Sequence, residues 1–302
     1  MDDDLSRIAA LGAEQKARLV VTKTACPFVG SVVMQGRLTV RNTEADPLAS
    51  IADVRALGNS GGGNLGWLLA LFASTRQARM RGETGTLDRQ VPTGLFSLEL
   101  PGSLGAHHGD SGILMSDPRM PGSGRWSEAD FARLAMHAEG GLLKRSAVAT
   151  FIAQNLLREP RAKVLGENVR VLLARDLLAL LASIGKAIAG TLFGSAEAAR
   201  VARADVPARF TALAMESDLA GASGEFALLF SLLANRPGAA TIDGEPALRL
   251  EDVEGMYRHK RLPDGWETWP KSSFVAIGNL TVLVFRARAE YVKLRRAQHQ
   301  AA

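Results

Sequence analysis

The 302-residue chain has one cysteine, few aromatic residues and no long uninterrupted apolar run. With Cys26 as the sole thiol, neither an intramolecular disulfide nor a zinc site built on paired cysteines is possible. Three roles stay open for the thiol: a buried spectator, a nucleophile or a metal-bound thiolate. The longest apolar stretch, 177–194, contains Lys186 near its centre, so we expect a buried core helix there rather than a membrane span.

Aromatic residues make up 6% of the chain, and its net charge of +5 comes from charges distributed along the sequence. A nucleic-acid surface needs basic residues interleaved with stacking aromatics, so no nucleic-acid partner is expected. The basic cluster at 286–296 is typical of a solvated terminal helix. The acidic start, Met1-Asp-Asp-Asp4, is the reverse of a secretory or transit segment, so we expect a cytoplasmic protein without membrane contact.

The pattern of apolar residues predicts a mainly α fold, with residues 1–302 forming a single compact helical domain. The segment 80–125 is rich in glycine and proline and is expected to be irregular apart from a strand at 95–100. Residues 274–285 form either a strand or, with 286–298, one long helix. Helices are predicted at 4–19, 27–36, 47–57, 64–72, 127–137, 146–157, 169–193, 204–219, 225–235 and 251–257.

Cys26 directly precedes Pro27 in the segment Thr24-Ala-Cys-Pro-Phe28. Proline favours the first position of a helix, so the sulfur is expected at the N-terminus of helix 27–36. Free backbone N–H groups and the positive end of the helix dipole stabilise a thiolate at such a position. The alternative is a small, buried, apolar cysteine.

Five short motifs between residues 24 and 266 occur in an order found in one enzyme family. They are Ala25-Cys26-Pro27 with Gly36-Arg-Leu38 and Arg41-Asn42, Asn64 before an apolar helix, His108-Gly-Asp110, Gly224-Glu-Phe-Ala227, and Arg261-Leu-Pro-Asp-Gly-Trp266. The chain resembles the heme-thiolate peroxidases, the chloroperoxidase and unspecific peroxygenase family. This resemblance implies a helical domain enclosing heme b, Cys26 as axial iron ligand, hydrogen peroxide as oxidant and a small apolar organic substrate.

On the distal side of the heme the chain departs from the family pattern. The family's Glu-x-Asp motif, whose glutamate helps to bind magnesium, has His108 in the glutamate position here. A magnesium site is therefore doubtful. A second family glutamate, which moves the peroxide proton, falls near Ser146 or Thr150, and neither residue is an acid.

Other acid–base groups are needed if this chain reacts with peroxide. The candidates are His107, His108, Asp110 and Glu139. Histidine suits this role because its ordinary pKa lies near neutrality, and Asp110 is placed to orient His108. An ordinary surface loop is the alternative for the histidine pair.

Three other functions remain open at this stage. The first is a heme-dependent dehydratase or isomerase that does not use peroxide, the second a heme carrier or sensor, and the third a helical interaction protein. The loop Ser60-Gly-Gly-Gly-Asn64 is either an anion cradle or a flexible loop whose Asn64 caps the next helix. It lacks the ending of a nucleotide-binding P-loop.

Overall fold

The computed structural model describes residues 12–23, 26–41, 47–74, 94–98, 126–158, 182 and 218–301, and within them the protein is mainly helical. The predicted helix 169–193 apart from residue 182, residues 204–217 of the next predicted helix, and most of the irregular segment 80–125 lie outside these ranges. The described helices are α1 (Ala13–Lys23), α2 (Pro27–Met34), α3 (Ile51–Asn59), α4 (Gly66–Ser74), α5 (Glu128–Ala135), α6 (Arg145–Arg158), α7 (Asp218–Leu233), α8 (Leu250–Tyr257) and α9 (Ser273–Ala301).

Short strands form three antiparallel pairs between these helices. They are β1 (Leu48–Ser50) with β2 (Leu95–Ser97), β3 (Leu142–Leu143) with β6 (Leu248–Arg249), and β4 (Thr241–Ile242) with β5 (Glu245–Pro246). The β4–β5 hairpin turns through Asp243 and Gly244, with φ of 53° and 75°. Asp-Gly is a favoured pair for a two-residue turn that needs two positive φ angles.

Local capping signals explain several helix starts. The pattern Ser127-Glu-Ala-Asp130 predicts an N-terminal cap. Ser127 does cap α5, because its side chain accepts a hydrogen bond from the Asp130 N–H. The predicted helix 47–57 was placed too early. Leu48–Ser50 pairs with β2, and the Ser50 side chain then caps α3 by accepting from the Asp53 N–H at 3.2 Å.

The long helix α9 excludes the strand alternative for residues 274–285. Its buried residues Ala276, Asn279, Leu283 and Ala287 recur at helical spacing and face α6 and α7. Helix α7 runs from Asp218 to Leu233, so the end of predicted helix 204–219 and the predicted helix 225–235 belong to one continuous helix. Gly221 and Gly224, which lie between or just before them, are buried inside it.

One buried hydrophobic cluster connects the described helices from α1 to α9. Phe151 of α6 meets Phe226 of α7 edge to face, with ring centroids 6.1 Å apart. Phe28 of α2 meets Trp266 in the same way at 5.8 Å. This common core agrees with the expectation of one domain, which stays a prediction for the full 302 residues. No helix in the described ranges has the length and apolar character needed to cross a membrane.

The approach of α3 to α4 requires glycine at position 66. A Cβ atom there would lie 2.0 Å from the carbonyl oxygen of Arg55 and 2.5 Å from Oδ1 of Asn59. That Oδ1 accepts a hydrogen bond from the Gly66 N–H at 3.0 Å. Asn59, the last residue of α3, therefore caps the N-terminus of α4.

Gly66→Ala is therefore expected to lower the free energy of unfolding by about 2 to 3 kcal/mol, because an overpacked contact forces the two helices apart. The matched control is Gly278→Ala in α9, where an added Cβ meets nothing within 4 Å. Alanine there should be neutral or stabilising by up to about 1 kcal/mol, the difference in helix propensity. Urea denaturation measures both values, and equal stabilities of the two variants would contradict the close approach.

Candidate functional site

Cys26 lies at the N-terminus of α2, as the sequence predicts. Its backbone is extended, with φ of −94° and ψ of 119°, and Pro27 occupies the first turn of the helix. The Cys26 carbonyl accepts the first helical hydrogen bond, from the Gly30 N–H at 2.9 Å. The Cys26 side chain itself makes no capping hydrogen bond to this helix. The N–H groups of the first turn therefore point toward the end of the helix that carries the sulfur.

The segment 256–266 holds α2 in place. Nε2 of Gln35 donates to the Leu262 carbonyl at 3.0 Å. The buried Ser31 hydroxyl donates within α2 to the Pro27 carbonyl at 2.8 Å and lies 3.3 Å from the Met256 carbonyl. The contact between Phe28 and Trp266 lies on the same side of α2. These contacts fix the position of the chain between α8 and Trp266 relative to the helix that carries Cys26.

Lys260 lies in this segment and is 5% exposed. Its φ of 50° is in the left-handed region, which costs a residue other than glycine on the order of 1 kcal/mol or more. Burial lowers the pKa of Lys260 to about 8. Negative charge at Cys26, and to a smaller extent at Glu225, acts in the opposite direction and favours the charged ammonium.

Glu225 on α7 interacts electrostatically with Lys260, and Tyr257 on α8 with Cys26. The Tyr257 hydroxyl donates a short hydrogen bond to Oε1 of Glu225. Burial raises the pKa of Glu225 to about 7, against the lowering effects of Tyr257 and Lys260. Burial also raises the pKa of Tyr257 well above its ordinary value, with smaller contributions from Glu225 and Cys26. We call Cys26, Glu225, Tyr257 and Lys260 the thiol cluster.

The thiol cluster combines a soft donor atom with groups that hold charge and protons. A helix N-terminus and a neighbouring cation both favour the thiolate form of a cysteine, which is the form that binds metals and attacks electrophiles. Cys26 is only partly buried, so its sulfur is not sealed inside the core. Glu225 exchanges a proton near neutral pH. The arrangement therefore suits metal ligation by sulfur or thiolate chemistry.

Of the predicted acid–base candidates, Glu139 is the one that the structure describes; His107, His108 and Asp110 lie outside the described residues. The Glu139 side chain is 58% exposed, and its Oε1 lies 2.7 Å from Nζ of Lys144. Hydrogen bonds from Lys144 to Glu139 and then to Asp243 raise the pKa of Lys144. Glu139 is thus part of a surface ion-pair network.

The two positions near which a distal glutamate was expected are helical and carry no acid. The Thr150 hydroxyl donates to the Ser146 carbonyl at 3.1 Å, within α6. Helix α6 therefore supplies no carboxylate at either position.

The loop 60–64, one reading of which is an anion cradle, binds the ammonium group of Lys271 instead. Nζ of Lys271 donates to Ser60 Oγ at 2.9 Å and to the carbonyls of Ser60, Glu267 and Trp269 at 3.2, 3.2 and 3.0 Å. Asn64 does not cap α4; its Oδ1 accepts from the Ser273 N–H at 2.8 Å, at the start of α9. Asn59 takes the expected capping role at α4.

Glu225, Tyr257 and Lys260 were missed as site residues from the sequence. Lys260 follows Arg258-His259 and precedes Arg261, a run typical of a solvated surface. Glu225 gives the one usable signal, because it is the only charged residue between Leu219 and Leu233 in an otherwise apolar helix.

Comparisons of the chain with known protein families and with curated proteins find no match. In the described part of the chain, no group of three or more histidine, cysteine, aspartate and glutamate side chains is placed to hold a metal ion.

The buried carboxyl of Glu225 makes stability depend on pH. In the folded chain this group keeps its proton up to about pH 7, whereas the unfolded chain loses it near pH 4.5. Between these values the folded state binds more protons, so the free energy of unfolding falls as the pH rises. Glu225→Gln removes this titration. Between pH 4.5 and about 7, the free energy of unfolding of the wild type should therefore fall by about 1 to 3 kcal/mol more than that of the variant.

Urea denaturation at several pH values between 4 and 8 measures this difference. Glu251→Gln is the control, because the Glu251 side chain is 72% exposed, and its profile should stay parallel to that of the wild type. Parallel profiles for wild type and Glu225→Gln would contradict the burial of the Glu225 carboxyl.

Proposed function

We propose that this protein is a heme-thiolate oxidoreductase. In this proposal Cys26 is the axial ligand of heme b, and hydrogen peroxide is used to oxidise a small apolar organic substrate. The observation that supports it best is the position of the sole thiol directly before Pro27, at the N-terminus of α2. The order of the sequence motifs supports the same assignment.

The residues around Cys26 fit a heme ligand. A porphyrin supplies four nitrogen ligands to its iron, so one thiolate from the protein is sufficient. In this proposal, free N–H groups in the first turn of α2 would hydrogen-bond the sulfur and so moderate its electron donation. Cys26 also packs against the hydrophobic core, which suits the apolar faces of a porphyrin.

Each residue in this proposal has a defined task. When bound, thiolate-ligated heme supplies the electron donation that favours cleavage of a peroxide O–O bond. The sulfur of Cys26 holds the iron, and α2 fixes the direction of the sulfur. A ring nitrogen of His108 accepts the peroxide proton, and Asp110 orients that ring. Glu139 is the alternative proton acceptor. A magnesium ion is not part of the proposal.

Glu225 favours a second candidate function, a heme-dependent dehydratase or isomerase that does not use peroxide. A carboxyl group with a pKa of about 7 is suited to general acid–base catalysis at neutral pH. The proposed peroxide reaction does not use the Glu225 carboxyl. Oxidation of a peroxidase dye by the heme-loaded protein separates the two candidates, because only the first requires peroxide.

The ligand assignment is tested by the spectrum of the reduced carbon monoxide complex. Protein supplemented with heme should show the strongly red-shifted Soret band of thiolate ligation, and Cys26→Ala should lose it because the chain has no other thiol. His137→Ala and His259→Ala are controls at described histidines and should keep the band. A histidine-type spectrum in the wild type, or an unchanged band in Cys26→Ala, would refute the assignment.

The proton acceptor is tested by peroxide turnover. His108→Ala should lower the rate by roughly two to four orders of magnitude, the usual range for loss of a general acid–base group, with the heme spectrum intact. Wild-type turnover should rise with pH through neutrality because the neutral imidazole accepts the proton. His107→Ala should have little effect. If His108→Ala and Asp110→Ala both keep full turnover and Glu139→Ala loses it, Glu139 and not His108 accepts the peroxide proton.

A further inference from the structure

We propose that the outer face of α9 binds the surface of a membrane that contains anionic lipids. The outer face is the side of this helix opposite its contacts with α6 and α7. Its apolar residues are Phe274, Ile277, Phe285 and Val292. This inference goes beyond the proposed heme chemistry and is independent of it.

Three of these apolar residues lie in one line along α9. Phe285 follows Phe274 by eleven residues and Val292 follows Phe285 by seven, which is about three and about two helical turns. Leu283, nine residues after Phe274, is about two and a half turns away and fully buried. The line therefore points away from the core that α9 shares with α6 and α7.

The apolar side chains of the outer face are strongly exposed. Phe274 is 75% exposed and Phe285 is 67% exposed. Of the eight large hydrophobic side chains that are exposed within the described ranges, five belong to α9. Single exposed apolar residues are normal on a protein surface, but several of them on one face indicate a contact site.

Basic residues flank the apolar line. By helical spacing, Arg288 and Arg295 lie on one side of it and Arg296 lies on the other. Glu290 is the one acidic residue of α9. It lies about four and a half turns after Phe274, on the opposite side of the helix, where its carboxylate is 3.4 Å from Nζ of Lys293. The outer face of α9 thus combines apolar and positive side chains with no carboxylate.

This combination favours an anionic lipid surface as the partner. A helix lying in the headgroup region buries its apolar side chains there, while its arginines meet the negative charges of the lipids. A second copy of the chain would present the same face and would offer the arginines no carboxylate. The apolar stretch 177–194 contains no acidic residue either.

The proposal differs from the expectation of no membrane contact. That expectation rests on the acidic start of the chain and on Lys186 within its longest apolar stretch. These features bear on secretion and on crossing a bilayer. Binding to a membrane surface needs neither a leader nor a spanning segment, because the helix lies parallel to the lipid surface.

The test is cosedimentation of the purified full chain with lipid vesicles. Vesicles of phosphatidylcholine with about 30% phosphatidylserine should bind the wild type about tenfold or more tightly than vesicles of phosphatidylcholine alone. Binding should weaken as the salt concentration rises, because ions screen the attraction between arginines and headgroups. Equal binding to both kinds of vesicle, or binding to neither, would overturn the proposal.

Two double variants test the two components of the outer face. Phe274→Ser with Phe285→Ser removes the aromatic side chains, and Arg295→Gln with Arg296→Gln removes two positive charges. Each pair should weaken binding to the anionic vesicles by about tenfold or more. All four side chains are exposed, so the fold should be retained.

Matched controls carry the same kinds of substitution outside α9. Met136→Ser changes a side chain that is 75% exposed, as Phe274 is. Arg55→Gln with Arg261→Gln removes two charges from exposed arginines. Both controls should bind the anionic vesicles as the wild type does. An equal loss of binding in the controls would mean that the net charge, and not the outer face, governs the interaction, and would overturn the proposal.

Light scattering and thermal unfolding distinguish the other possible occupants of the outer face. If the wild type is a dimer that dissociates in the double serine variant, a second copy covers the face. If the double serine variant is strongly destabilised, another segment of the chain covers it. Either result would overturn the proposal. A double serine variant with the stability and oligomeric state of the wild type, but with weakened vesicle binding, would support it.

Discussion

The candidate site depends on the attachment of α2 to the segment 256–266. A hydrogen bond from Gln35, the 3.3 Å approach of the Ser31 hydroxyl to the Met256 carbonyl and the ring contact of Phe28 with Trp266 join these parts of the chain. A short helix of eight residues has little stability of its own, so tertiary contacts must keep it formed. The same contacts fix the direction in which its N-terminus presents Cys26.

Two buried lysines show how the protein accommodates charge in its interior. A buried ammonium is costly unless hydrogen bonds or opposite charge compensate it. Lys271 is compensated by carbonyl and hydroxyl oxygens, and it thereby joins the loop after α3 to the start of α9. For the buried Lys260, the charges of Cys26 and Glu225 favour the ammonium form against the effect of burial.

Part of the candidate site could be predicted from the sequence because it depends on neighbouring residues. Pro27 favours a helix start, and this alone places Cys26 at the end of α2. The rest could not be predicted in the same way. Glu225 and Tyr257 come from different helices, and Lys260 from a reversal after α8. Their pKa shifts result from burial, which a linear pattern of charged residues does not reveal.

The sequence by itself determined the mainly helical character, the start of α2 at Pro27, the Ser127 cap and the strand beginning at Leu95, because these features depend on contacts between residues close in the chain. Tertiary structure decided the pairing of β1 with β2, so that α3 starts at Ile51 rather than at Pro47. It also decided that α9 is one continuous helix, which packs against α6 and α7. It also brought together the thiol cluster. Burial and long-range packing set these outcomes, since both depend on residues far apart in the chain.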